Sequence, residues 1–358
     1  MAMVYPVSRR FITLYRGALA DIFMLFLKRK SMTGDYVKDF EERFTRFVGA
    51  DYAIATSSGR SALYLLLSSL DLPPKTEIIL PAYEDLSVPE TIKLAGFIPV
   101  FVDIDPYTQN ISFADLKDKI TLKTSAIVVC HMFGNPVNIE EIRSFIRKDI
   151  YIIEDCAHAI GSKCQGRHVG TLGDAAFFSF FTTKPFMCFG GGGIITNSQS
   201  IYNKAKSKVE SWQFPRNEQL IKEVILGYFL LFITSDIVFS FFIFPVLLLL
   251  HFLKIVPDNI YQKLRRKRSS GVINYKFTNL QAMIGIGNLK KLPTALAIRS
   301  RNALLFGEMI KKDISRPVFE HGCNYYFYVL FVKNRKVLQN DLFRRGVDTG
   351  KDLMRNCA

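Results

Sequence analysis

The sequence predicts an α/β fold with a mainly parallel central sheet covered by helices, a smaller C-terminal α+β domain and an apolar helical insert. Two observations carry this. Over the first two-thirds of the 358 residues, short β-branched runs alternate with helical patterns. The runs are apolar throughout rather than at every second residue, which marks strands buried on both faces. A third observation locates ligand chemistry. The run Tyr151-Ile152-Ile153 ends in Glu154-Asp155, and open α/β sheets bind ligands at the carboxyl ends of their strands.

Tyr52 to Thr56 is the first predicted strand, and Ser57-Ser58-Gly59-Arg60 turns it into a helix over Ser61 to Leu70. Glu77 to Leu80, ending in Pro81, Ile98 to Asp103 and Ala126 to Cys130 are the next three strands. Tyr151 to Asp155, Ala175 to Phe180 and Gly193 to Thr196 follow. Neither an internal repeat nor a low-complexity tract interrupts them. The predicted organisation is a large α/β domain over 1–205, an insert over 206–270 and a small domain over 271–358.

Net charge is +15, which implies an anionic partner such as substrate phosphates or an acidic lipid surface. Zinc-finger, basic-zipper and RNP aromatic patterns are absent, so nucleic acid is not expected. The six cysteines show neither a secreted-type framework nor a C-x-x-C pair; reduced thiols in a cytoplasmic protein, without a metal site, are expected. The N-terminal apolar run, Gly17 to Leu27, contains Asp21 and starts after three arginines, unlike a signal peptide. It reads as an amphipathic helix ending in Lys28-Arg29-Lys30, either a surface helix or one touching a membrane.

From 224 to 253 the chain is almost wholly apolar, broken by Thr234-Ser235-Asp236, Ser240, Pro245 and His251, and a basic run including Arg265, Arg266, Lys267 and Arg268 comes next. A single crossing would put the residues after Arg268 on the opposite side from the α/β domain, and two crossings need about 40 residues. A re-entrant or monotopic hairpin turning near Ser235-Asp236 or Pro245 meets both constraints, with its basic flank at anionic headgroups. An insert buried in the fold or at a subunit interface is the alternative.

Chemistry concentrates at Asp155 and Lys184, the latter between Phe178-Ser179-Phe180 and the run Gly190 to Gly193. Pyridoxal phosphate needs an amine to bind it, a carboxylate to keep its ring nitrogen protonated, and small polar groups for its phosphate. An apolar, hydroxyl-rich setting favours a neutral, nucleophilic Lys184. Ser57-Ser58-Gly59, at the start of a helix, is a phosphate cradle, and Ser179 is a further hydroxyl for it. His158 reads either as a partner of the cofactor's phenolic oxygen or as a satisfied buried histidine.

Together these residues resemble the DegT/DnrJ/StrS sugar aminotransferases, a branch of the fold-type-I pyridoxal phosphate enzymes. The segments that carry the resemblance are Ser58 to Leu63, Pro81-Ala82-Tyr83, Gly96 to Asp105, His131 to Gly134, Glu154 to His158, Phe178 to Lys184 and Asn274 to Ala282. The resemblance implies that Lys184 is the Schiff-base lysine and Asp155 the pyridinium partner. His158 stands where the family usually has a glutamine near the ring oxygen, and Ser58, Gly59, Arg60 and Ser179 line the phosphate. Asn274 resembles the asparagine that reaches the phosphate from the neighbouring subunit, which implies a homodimer with shared sites.

The implied activity is transfer of an amino group, usually from glutamate, onto a nucleotide-linked keto-sugar. With the insert, this points to the cytoplasmic face of the inner membrane and to surface polysaccharide or glycoconjugate assembly. The related dehydratases carry histidine in place of the lysine, so Lys184 opposes that alternative. A non-catalytic membrane-associated scaffold is the other reading. Arg60 departs from the family's threonine, Asp85 falls where an aromatic commonly stacks on the ring, and the apolar insert is extra. The chain also stops at Ala358, so an incomplete small domain is expected.

Overall fold

The computed structural model describes residues 14–253, 274–310, 315–350 and 354–358. A seven-stranded sheet organises it: β1 Tyr52–Thr56, β2 Glu77–Pro81, β3 Ile98–Val102, β4 Thr124–Cys130, β5 Tyr151–Asp155, β6 Ala175–Ser179 and β7 Gly192–Thr196. Their order across the sheet is β1-β7-β6-β5-β4-β2-β3. All seven predicted strands form, with ends moved by a residue or two. β7 runs antiparallel to β1 and β6, and every other pair is parallel. The reversal at β7 follows from its connection: no helix intervenes between Ser179 and Gly192, so β6 cannot cross over to a parallel neighbour.

Each face of the sheet carries its own core. On one, the helix Gly59–Ser69 buries Ala62, Leu63, Leu65, Leu66 and Leu67 against Ile54, Ile78, Leu80, Val128, Ile153 and Phe177. Each such leucine contributes about 1.5–3 kcal/mol relative to exposure. On the other face, Phe40 and Phe44 of the helix Tyr36–Val48 pack with Phe178, Phe180, Phe186 and Phe277. Phe177 and Phe178 thus serve opposite layers, as the pleat requires. The helix Asn279–Met309 starts on a capping box between Thr278 and Gln281. It packs in the same unit as this sheet.

Contacts divide the chain into two compact units. The larger comprises, among described residues, 14–217, 274–310, 315–330 and 354–358; the smaller comprises 218–253 and 331–350. In the smaller, apolar helices on either side of Thr234-Ser235 meet at a 60° bend. The break falls at the predicted polar residues Thr234-Ser235. Pro245 lies in the first turn of the helix Phe244–Phe252, where its missing N–H is not needed. Phe244 and His251 pack on Phe343 of the helix Arg335–Arg344, with ring centroids 5.2 and 5.1 Å apart.

No single described helix is long and apolar enough to cross a membrane; the bent pair passes that test only together. Phe229, Phe232, Ile237, Phe241, Phe242, Leu249 and Phe252 are exposed. The basic run after them lies outside the described residues. In the larger unit the helix Ala18–Leu27 buries Ala18, Ile22 and Leu25 and exposes Leu19, Phe23 and Leu27.

Candidate active site

Two adjacent acids end β5, and the pleat sends them to different tasks. Glu154 is fully buried and accepts hydrogen bonds from the backbone N–H groups of Gly170 (2.7 Å), Leu172 (2.8 Å) and Gly173 (2.6 Å). His131 Nε2 lies 2.8 Å from its carboxylate, while His131 Nδ1 accepts from Val137 N at 3.0 Å. The histidine proton therefore sits on Nε2 and is donated to Glu154. Burial alone would raise the Glu154 pKa, but the hydrogen bonds from His131 and from the loop N–H groups outweigh it and hold the carboxyl below its ordinary value. Glu154 thus ties the 170–173 turn to the strand that presents Asp155.

Asp155 is buried and accepts from Ala157 N at 2.8 Å. Burial pushes it up to about 6, against the pull of the Ala157 N–H and the Lys184 charge. Lys184, half-buried in the loop after β6, is thus close enough to act on this carboxylate. Its backbone N–H donates to Phe181 O at 2.9 Å. The peptide carbonyls flanking Lys184 are both held from distant segments. Tyr326 Oη donates to Thr183 O at 2.7 Å, and Arg299 Nη2 donates to Pro185 O at 3.2 Å.

Asn324 extends this tie to the other loop, its Nδ2 donating to His158 O and Ile160 O at 2.9 Å each. The segment 324–326 therefore fastens the loops that follow Asp155 and precede Lys184. Sequence reasoning missed it. Asn324-Tyr325-Tyr326-Phe327 has no periodicity that distinguishes it from an ordinary core run. His158 is buried, with its ring parallel to Phe133 at 6.1 Å and tilted against Tyr326 at 4.8 Å.

The polar cradle lies at the start of the helix Gly59–Ser69. Ser58 caps it, its Oγ accepting from Ser61 N at 3.0 Å. The Oγ atoms of Ser57 and Ser58 lie 3.0 and 2.9 Å from Ser61 Oγ. Arg60, half-buried, occupies the first turn. A Cβ on Gly59 would lie 2.9 Å from Ser179 Cβ, and one on Gly192 would lie 2.5 Å from the Ser58 carbonyl carbon. Backbone approach this close explains the glycines. Tyr275 N donates to Ser57 Oγ of the same chain at 3.4 Å, so the Asn274-Tyr275 segment borders the cradle. Asn274 Oδ1 is buried and has no hydrogen-bond partner among the described residues.

Two carboxylates join this site. Asp85, which accepts from Ser87 N at 3.0 Å, lies near enough to Asp155 to raise its pKa. Glu84, buried beside Asp155, was not singled out from the sequence. All six cysteines are free. Burial raises the Cys130, Cys156 and Cys188 thiols, so they stay protonated.

The residues fit pyridoxal phosphate. A buried carboxylate and a lysine whose charge reaches it stand at one end, and a glycine-lined helix start with three serine hydroxyls stands at the other. A family model described as the DegT/DnrJ/EryC1/StrS aminotransferase family matches residues 24–229, more than half the chain. The chain belongs to this family. GDP-perosamine synthase of Escherichia coli O157:H7 is 38% identical over 175 residues, 49% of this chain and 48% of that protein. The chain spans about half the length of the curated relatives it matches.

Among solved structures, AtS13 from Actinomadura melliaura superposes with a TM-score of 0.77 at 21% identity, covering 99% of this chain and 87% of that one. Escherichia coli GDP-4-keto-6-deoxy-D-mannose-3-dehydratase, with bound hydrated pyridoxal phosphate, gives 0.74 at 24% identity over 96% and 84%. At such identities the likeness is one of fold. It bears out the predicted sheet covered by helices.

Proposed function

We propose that this chain is a pyridoxal phosphate-dependent aminotransferase that moves an amino group, from glutamate, onto a nucleotide-linked keto-sugar. The observation that carries the reading is the convergence of Asp155, Lys184 and the Ser57-Ser58-Gly59 and Ser179 cradle in one chain. Relatives named for aminotransferase chemistry on UDP- and dTDP-linked sugars, and a GDP-perosamine synthase, support the substrate class.

In this reading the N–H groups at the start of the helix Gly59–Ser69 would hold the phosphate, with Ser58, Gly59, Arg60 and Ser179 around it and Asn274 reaching it from a neighbouring copy of the chain. When bound, the cofactor supplies the electron sink that stabilises charge at the donor's α-carbon. Asp155 keeps a carboxylate toward the ring nitrogen, and His158 closes the site beside the ring oxygen. Lys184 Nζ holds the cofactor and then carries the proton between donor and acceptor carbons. Tyr326 and Arg299 orient it by fixing the carbonyls on either side. The Lys184 amine also opposes a dehydratase of the histidine type.

The proposal includes a homodimer with shared sites, on the family resemblance of Asn274, and contact with the cytoplasmic membrane face. The exposed apolar residues of 218–253 support the membrane contact. It suits assembly of surface polysaccharide or glycoconjugate. The test is turnover: purified chain with pyridoxal phosphate, glutamate and a panel of GDP-, UDP- and dTDP-linked keto-sugars should release 2-oxoglutarate with one sugar class. Lys184→Ala should release none. Equal release by both would refute the reading.

A further inference from the structure

We propose that Glu84 and Asp155 share one proton at the end of β5, with Glu84 acting as a positioning residue that leaves a single negative charge where two carboxylates lie. The geometry is unusual. Glu84 and Asp155 are 2% and 3% exposed, and one carboxylate oxygen of each lies, with Cys130 Sγ, within a mutual 4.8 Å. Glu84 Oε1 accepts from Asp85 N at 2.8 Å; among the described residues its buried Oε2 meets no strong donor, and the Cys130 thiol gives the carboxyl a weak hydrogen bond. Asp155 is engaged by Ala157 N through Oδ1.

Two like charges this close, away from water, cannot both persist unless a cation balances them. Among the described side chains the groups that face them are as follows, and Arg355 pairs in strand register with Glu84. Asp85, from the same segment as Glu84, adds a third carboxylate and makes double ionisation harder. Cys130, at the end of β4, is held as a thiol by burial and by both carboxylates. Lys184 pulls Asp155 down. The Cys357 thiol donates to Glu84 O at 3.4 Å. The cationic pull is thus exerted on Asp155, while burial and then the Asp155 charge push Glu84 well above the ordinary carboxylate range. The proton therefore resides on Glu84.

The consequence follows from the proposed role of Asp155, and only this consequence rests on that reading. A neutral acid beside Asp155 spreads its charge and weakens it as a base without removing the charge. It thereby sets how strongly the strand end holds a ring-nitrogen proton. Glu84 acts here through Asp155 and touches no reacting atom.

The experiment uses the full chain without cofactor, so failure of cofactor binding leaves its outcome intact. Melting temperature is followed from pH 5 to pH 8 for wild type, Glu84→Gln, Asp155→Asn and the double variant. An acid whose folded pKa is raised keeps its full stability only up to its unfolded value, and that contribution is lost as pH rises toward the folded value. Glu84→Gln should therefore gain on wild type steadily with pH. In the Asp155→Asn background the same substitution should gain less, because the like charge is gone. A gap between Glu84→Gln and wild type that ignores pH overturns the proposal. So does an equal gain in both backgrounds.

If Glu84→Gln does not fold, the infrared carbonyl band of a protonated carboxyl carries the test in the wild-type and Asp155→Asn chains. Proton sharing requires the band's midpoint to fall by about one pH unit or more in Asp155→Asn. An unmoved midpoint overturns it.

Discussion

Replacing Gly59 with alanine would place a methyl group 2.9 Å from Ser179 Cβ and 3.3 Å from Ser179 Oγ. Carbon atoms prefer about 3.5–4.0 Å, so the helix start and β6 must part by roughly 0.6–1.1 Å. Neither side yields easily. Gly59 opens a capped helix whose next turn is buried, and Ser179 Cβ is fixed to a strand paired on both edges. Overpacking of this kind costs about 1–3 kcal/mol. Urea denaturation should show a lowered midpoint with an unchanged slope. The contact is isolated by Ser179→Gly, which itself costs about 0.5–1 kcal/mol but removes the atom that clashes. The double variant should then be more stable than the sum of the single effects by about 1–3 kcal/mol. Simple additivity would show that the two residues do not meet, and the close approach that shapes the cradle would be refuted.

Three further outcomes are expected. Glu154→Gln should cost about 1–3 kcal/mol at pH 7, because the amide cannot accept from all four buried donors, His131 Nε2 and the N–H groups of Gly170, Leu172 and Gly173. Since the folded Glu154 pKa lies below its ordinary 4.5, that contribution is complete above this value and lost as pH falls through the folded one; acid melts of variant and wild type should converge. Tyr326→Phe should cost about 0.5–1.5 kcal/mol in stability and slow the reaction of Lys184 with pyridoxal phosphate, measured by rapid-mixing absorbance; an unchanged rate would dissociate Tyr326 from Lys184. In flotation assays the chain should rise with anionic vesicles more than with neutral ones, and Phe229→Glu with Phe242→Glu should abolish this. Unchanged flotation would remove the 218–253 surface from the membrane proposal.

Much of the sheet was legible because its strands are buried on both faces and read as continuous apolar runs between turn residues. Asp155 stood out for the same reason, as a charge closing such a run. The antiparallel β7 and the 60° bend were not legible. One depends on the missing crossover helix, and the other on how two apolar helices settle around Thr234-Ser235. The parts of the site that were missed are those built by distant contacts. Tyr326 reaches Thr183 across 143 residues and Asn324 reaches His158 across 166. Glu84 reads as one polar residue after Pro81-Ala82-Tyr83, and only the sheet brings it beside Asp155. Local pattern carries no information about such pairings.

The central claim is that Lys184 and Asp155 together make a pyridoxal phosphate site that reacts with an amino donor. The most direct measurement is the absorbance of the purified full chain with pyridoxal phosphate, before and after glutamate, beside Lys184→Ala and Asp155→Asn. Borohydride trapping and peptide mass mapping would identify the attached residue. The account predicts a visible band that glutamate bleaches, a reductively trapped adduct on Lys184, no such band in Lys184→Ala, and weaker, slower bleaching in Asp155→Asn. A trapped adduct on another lysine, or a band in wild type indistinguishable from that of Lys184→Ala, would contradict it.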